Sequence, residues 1–161
     1  MLRRLAVLAL AVGLVGCGGE VEERQILIDY VGKMRQLDGK NEQIVTTIEH
    51  LRKPISEISE QDLAEARQLI NDYVTHLKGL VPSDLDYAEL RVTHNRYVAK
   101  VEQAIELSGD KGREMRREKS NIDIGVRHIE KLTKRHYNGI DILWLRQKIA
   151  DPYPLVWPSK K

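Results

Sequence analysis

Four stretches of this chain repeat apolar side chains at spacings of three and four, and each stretch runs out at a proline or glycine. That spacing matches the 3.6-residue helical turn and gathers the apolar groups on one face. The first stretch, Glu20 to Arg52, carries Leu27, Tyr30, Val31, Met34, Leu37, Ile44, Val45, Ile48 and Leu51, with Pro54 beyond it. The second starts at Ser59, with Asp62 three residues on in a capping-box pattern, and carries Leu63, Ala66, Ile70, Tyr73, Val74 and Leu77 before Gly79 and Pro82. Ser83 with Asp86 marks a third, whose stripe is Tyr87, Leu90, His94, Tyr97, Val98, Val101 and Ile105, followed by the turn residues Ser108-Gly109-Asp110. The fourth runs from about Gly112 to Ile149, with Met115, Ile122, Val126, Ile129, Leu132, His136, Ile140, Leu143 and Trp144 inward and Asp151-Pro152 as its stop.

Four stripes joined by short turns predict an all-α fold, an antiparallel up-down-up-down four-helix bundle with long first and fourth helices. Asp38-Gly39 interrupts the first stripe. A mid-helix glycine costs only about 1 kcal/mol relative to alanine, and the stripe keeps its phase, so one helix is expected there. Tyr153 to Pro158 is too proline-rich for a helix and should form an extended tail. The short middle helices would leave the lower ends of the long pair uncovered at Ile26, Leu27, Ile140, Leu143 and Trp144. Tyr153, Leu155, Val156 and Trp157 are expected to fold back over that seam, the alternative being a free tail that meets a partner or the membrane interface.

The amino terminus obeys a different rule. Arg3 and Arg4 precede an apolar run from Leu5 to Val15, far short of the roughly 20 residues that span a bilayer. Leu14-Val15-Gly16-Cys17 then resembles the lipobox of bacterial lipoproteins. The resemblance implies cleavage before Cys17, a diacylglyceryl group on its thiol, and fatty acylation, palmitate included, of the new amine. Two or three acyl chains, at about 0.8 kcal/mol per buried CH₂, hold such a protein to a membrane. Gly18 follows the cysteine where retained lipoproteins carry Asp, which resembles lipoproteins sent to the outer membrane. The expected division is therefore 1–16 signal peptide, 17–19 lipidated end and linker, 20–150 bundle, 151–161 tail. The run His76-Leu77-Lys78-Gly79-Leu80-Val81-Pro82, with Leu85 and His94, loosely resembles the helix–proline–helix hairpin of small bacterial helical lipoproteins, a likeness that implies no activity.

Removing the leader changes the charge argument. Of 26 basic residues, Arg3 and Arg4 leave with it, so 24 remain against 24 acidic ones, and nothing favours nucleic acid as a partner. Cys17 is the only cysteine, so the domain has no disulfide to rely on.

The five histidines raise the question of metal. A di-iron bundle needs Glu-x-x-His, and the residues three before His50, His76, His94, His128 and His136 are Thr47, Tyr73, Arg91, Gly125 and Thr133. His-Glu-x-x-His, Cys-x-x-Cys-His, a phosphate-cradling glycine loop and a nucleophile–base spacing are absent too. His94 and His136 sit at the centres of their stripes. They are either core histidines hydrogen-bonded to neighbours or ligands for haem, a metal or a small molecule. Counting outward from the turns puts Asn41 level with Asp72 and His94, a polar layer that either fixes register or forms a ligand site. The charge run Lys111 to Lys119, with Arg113, Arg116 and Arg117 interleaved with Glu114 and Glu118, reads as a solvated face, or else as a contact for an acidic partner.

The expected function is a non-enzymatic, lipid-anchored scaffold or interaction protein of the cell envelope, in the outer membrane and facing the periplasm, with an envelope protein as partner and no cofactor. The alternative is a periplasmic bundle binding haem, metal or a small ligand through His94 and His136.

Overall fold

The structure is a computed structural model and describes residues 17–81, 85–109 and 114–158. It is all-helical, with no strand among the described residues. The helices are α1 (Cys17–Met34), α2 (Asp38–His50), α3 (Glu60–Leu80), α4 (Ala88–Ser108) and α5 (Met115–Arg146). A 3₁₀ turn, Arg35–Leu37, joins α1 to α2. Met34, Leu37 and Asp38 all keep right-handed helical dihedrals, so α1 and α2 make one limb and the bundle has four. The tightening falls just before Asp38-Gly39. It keeps Leu37 fully buried while Asn41, Ile44 and Ile48 stay on the core face.

Local chemistry sets some of the boundaries. Ser59 accepts a hydrogen bond from the Asp62 backbone N–H (3.1 Å), and the Asp62 carboxylate accepts one from the Ser59 N–H (2.7 Å), which is the expected capping box. α3 runs on through Gly79 to Leu80. The expected Ser83/Asp86 cap does not start α4. Ser83 lies outside the described residues, and the cap position belongs to Tyr87, which is extended and buried. The expected starting point of α5 near Gly112 also lies outside the described residues, and Glu114 occupies the cap of the observed helix. α5 ends at Arg146 rather than at Asp151-Pro152: Lys148 takes a positive φ of 50°, and the Ile149 N–H reaches back to the Trp144 carbonyl.

Packing follows the stripes. α5 contacts α2, α3 and α4, while α3 packs on both α2 and α4. Gly125 lets α3, α4 and α5 close together, since a Cβ there would stand 2.9 Å from the Ala104 carbonyl oxygen and 3.0 Å from Ile70 Cδ1. The lower seam is not open. Leu27, Ile140, Leu143 and Trp144 are buried and Ile26 is partly buried, with Tyr87 and Val81 joining the same core and Leu85 packed against it. The segment before α4 thus reaches lower than helix lengths alone imply. Residues 152–158 form neither helix nor strand. Tyr153 donates to the Tyr137 carbonyl (2.7 Å), Trp144 Nε1–H donates to the Asp151 carbonyl (2.9 Å), and Leu155 and Trp157 are buried. Trp157 ends beside Val45, Ile48 and Arg52 of the first limb and Glu130 and Lys134 of α5, well above the seam.

Candidate functional site

Midway along the bundle the core turns polar. The Tyr30 hydroxyl of α1 lies 3.1 Å from His94 Nδ1 of α4 and 2.6 Å from His136 Nε2 of α5. One phenol carries one proton, so at most one imidazole can accept from it and the other must donate to it. The short contact suits O–H donation and the longer one N–H donation. Tyr30 therefore donates to His136 Nε2, and His94 donates Nδ1–H to the Tyr30 oxygen. That assignment leaves the ring proton of His136 on Nδ1. Both rings are neutral: burial pushes His94 down to about 4, and burial followed by the nearby His94 pushes His136 down to about 3.

A second group of hydroxyls continues from the first. Tyr97 stacks flat on His136, with centroids 4.2 Å apart and an interplanar angle of 7°. Its hydroxyl meets Thr133 Oγ1 at 2.8 Å and the Tyr73 hydroxyl at 3.0 Å, and Tyr73 meets Thr133 at 2.9 Å. Tyr73 donates to Asn41 Oδ1 (3.0 Å), and the Asn41 amide donates to the Tyr137 hydroxyl (2.9 Å). Asn41 is completely buried and has a partner for both halves of its amide. Burial raises the phenols of Tyr30, Tyr73, Tyr97 and Tyr137 above their ordinary range, so all four stay protonated. All four limbs contribute to this layer.

His94 and His136 are thus core residues, brought together on one phenol with ring centroids 6.4 Å apart. Asn41 is in the layer as expected, but Asp72 is not: it is exposed and accepts from Gln68, and Tyr73, one residue on, takes the inward place. Asp38 is half-buried, and desolvation raises its carboxyl. His50 pairs with Asp62 at 3.4 Å, His128 meets the Lys100 carbonyl at 3.0 Å, and His76 Nε2 is buried without a partner among the described residues. In the charge run, Glu118 pairs inward with Arg67 of α3 (2.7 Å), and Lys111 and Arg113 lie outside the described residues. The lipobox residues Leu14, Val15 and Gly16 lie outside them as well.

Periodicity alone missed Thr133 and Tyr137, and it read Tyr30, Tyr73 and Tyr97 as apolar. The available signal was a hydroxyl-bearing residue on every stripe near one level. Among the described residues, no three His, Cys, Asp or Glu side chains gather as a metal ion would require, and no helix is long and apolar enough to cross a membrane. No family model, curated protein or solved structure matches the chain.

Proposed function

We propose that this chain is a lipid-anchored component of the bacterial cell envelope whose helical domain is a non-catalytic scaffold or interaction module. The observation that carries the reading is the order Arg3-Arg4, apolar Leu5 to Val15, then Leu14-Val15-Gly16-Cys17. On this reading Cys17 carries the lipid, the outer membrane holds it, the domain faces the periplasm, and an envelope protein is its partner. The layer around Tyr30 and Asn41 supports a structural rather than catalytic centre, because its hydroxyls and amide bond mainly to one another.

The limbs alternate in direction. His94 with His136, Tyr97 with Thr133, and Glu89 with Arg146 pair α4 with α5 in opposite senses. Asn41 with Tyr73 and His50 with Asp62 do the same for α2 and α3. The tail is an extended strap lying along the α2/α5 groove, anchored by Tyr153, Leu155 and Trp157.

The experiment is the Cys17→Ser variant in cells fed labelled palmitate. The wild-type chain takes up label and fractionates with the outer membrane, whereas the variant takes up none and accumulates as precursor or unanchored protein. Label on the serine variant rejects the anchor.

A further inference from the structure

We propose that the cleft between α4 and α5 above the Tyr97–His136 stack binds a phosphate-type oxyanion. The cleft holds about 160 Å³, room for roughly five waters at about 30 Å³ each, or for one small oxyanion and part of its hydration. Arg96 and Lys100 of α4 and Arg135 of α5 line it, and no carboxylate does. None of these three cations makes an ion pair among the described residues, although Arg127, Lys134 and Arg146 on the same α5 each have a carboxylate. All three are exposed, so water and salt screen their mutual repulsion, and an anion between them would gain from each. Guanidinium groups match the geometry of phosphate oxygens with paired donors.

The second observation lies in the floor. His136 is almost wholly buried, yet it lines this cleft, and its Nε2 is committed to Tyr30. Its Nδ1 has no protein partner and, by the proton count above, carries a hydrogen. Thr93 adds a hydroxyl to the wall, and the contact between His128 and the Lys100 carbonyl ties the two helices beside it. An N–H donor without a protein partner, on a ring that is otherwise buried but still reached by solvent at this cleft, lies beneath three unpaired cations, an arrangement for an acceptor-rich, negatively charged group. In the anchored reading the cleft stands off the membrane. Its floor is level with Tyr30, thirteen residues beyond Cys17, or about 20 Å at 1.5 Å per residue. That height favours a soluble phosphate over a lipid headgroup.

The test titrates the full mature chain in neutral detergent with inorganic phosphate at constant ionic strength. It follows heat and the Nδ1–H resonance of His136. Saturable binding that shifts this resonance is expected. It should weaken by about tenfold in Arg96→Gln and in Arg135→Gln, the loss of one charge-assisted hydrogen bond, and should persist in Lys131→Gln, an exposed cation outside the cleft. Urea midpoints matching wild type show that the variants fold. A second arm replaces phosphate with phosphatidylglycerol in the micelles. A His136 shift there but not with phosphate keeps the site and makes the headgroup its source. No shift in either arm, or equal weakening in Lys131→Gln, overturns the site. Neither outcome depends on how Cys17 is modified, so failure here leaves the lipid-anchor reading to its own labelling test.

Discussion

Tyr30 serves two imidazoles with one proton, and that shortage shapes what each of the three residues can tolerate. Tyr30→Phe keeps the ring and removes the hydroxyl, leaving an acceptor on His136 and a donor on His94 buried without partners. Stability should fall by about 1–3 kcal/mol, measured as a lower urea midpoint with the helix content of the native state unchanged. The same histidines set an acid sensitivity. Above pH 6.5 both are neutral, folded or unfolded, and their contribution is complete. Below it the unfolded chain binds protons that the folded chain refuses until about pH 4 at His94 and about pH 3 at His136. Stability should therefore decline between pH 6.5 and 4, by about 1.4 kcal/mol per pH unit for each histidine, and the slope in urea titrations should roughly halve in His94→Gln. The central placement of His94 and His136 was legible from their positions in the stripes. Their partner was not, because a spacing argument counts tyrosine as apolar and says nothing of where its hydroxyl ends. The Asp72 error has the same origin: a step of one residue turns a side chain about 100° around the helix, enough to exchange the solvated Asp72 for the buried Tyr73.

At the level of helices, the interior mattered more than the local signals at the ends. Ser59 and Asp62 form their capping box, whereas the cap of α4 is the extended, buried Tyr87 and the expected Ser83 lies outside the described residues. The limbs themselves were legible, since nearly every stripe residue of the first, second and fourth is buried or partly so. The third is less faithful, with Ile105 turned outward. Close helix approach was invisible in advance, as nothing in a hydrophobic pattern distinguishes Gly125 from a neutral position. Gly125→Ala would push a methyl group against Ile70 Cδ1 and against the Ala104 carbonyl, which as helix backbone cannot swing away. A loss of about 1–3 kcal/mol is expected from such overpacking, read as a lower thermal midpoint. Gly39→Ala, where a Cβ meets nothing within 4 Å, should be neutral or slightly stabilising in the same assay.

For the molecule as a whole, the tail adds two buried side chains, Leu155 and Trp157, to the core. Deleting residues from Pro152 onward removes Leu155 and Trp157 and uncovers the apolar surface they are buried against. The truncated chain should lose a few kcal/mol, given about 1.5–3 kcal/mol per large apolar side chain buried, and should scatter more light on warming. The tail's own hold is light. Val156 is 69% exposed, no backbone hydrogen bond ties residues 153–158 to the bundle among those described, and Trp157 Nε1–H is buried without a partner. Such a segment opens at lower cost than the helices beneath it. The chain has two tryptophans, and both meet the tail: Trp144 against Asp151 and Tyr153, Trp157 in the groove under Lys134. Intrinsic tryptophan emission from this protein therefore reports the tail together with the one core position, Trp144, that the tail touches. Unfolding followed by emission should run ahead of unfolding followed by circular dichroism, and a single coincident transition would show the tail to be as firmly held as the helices.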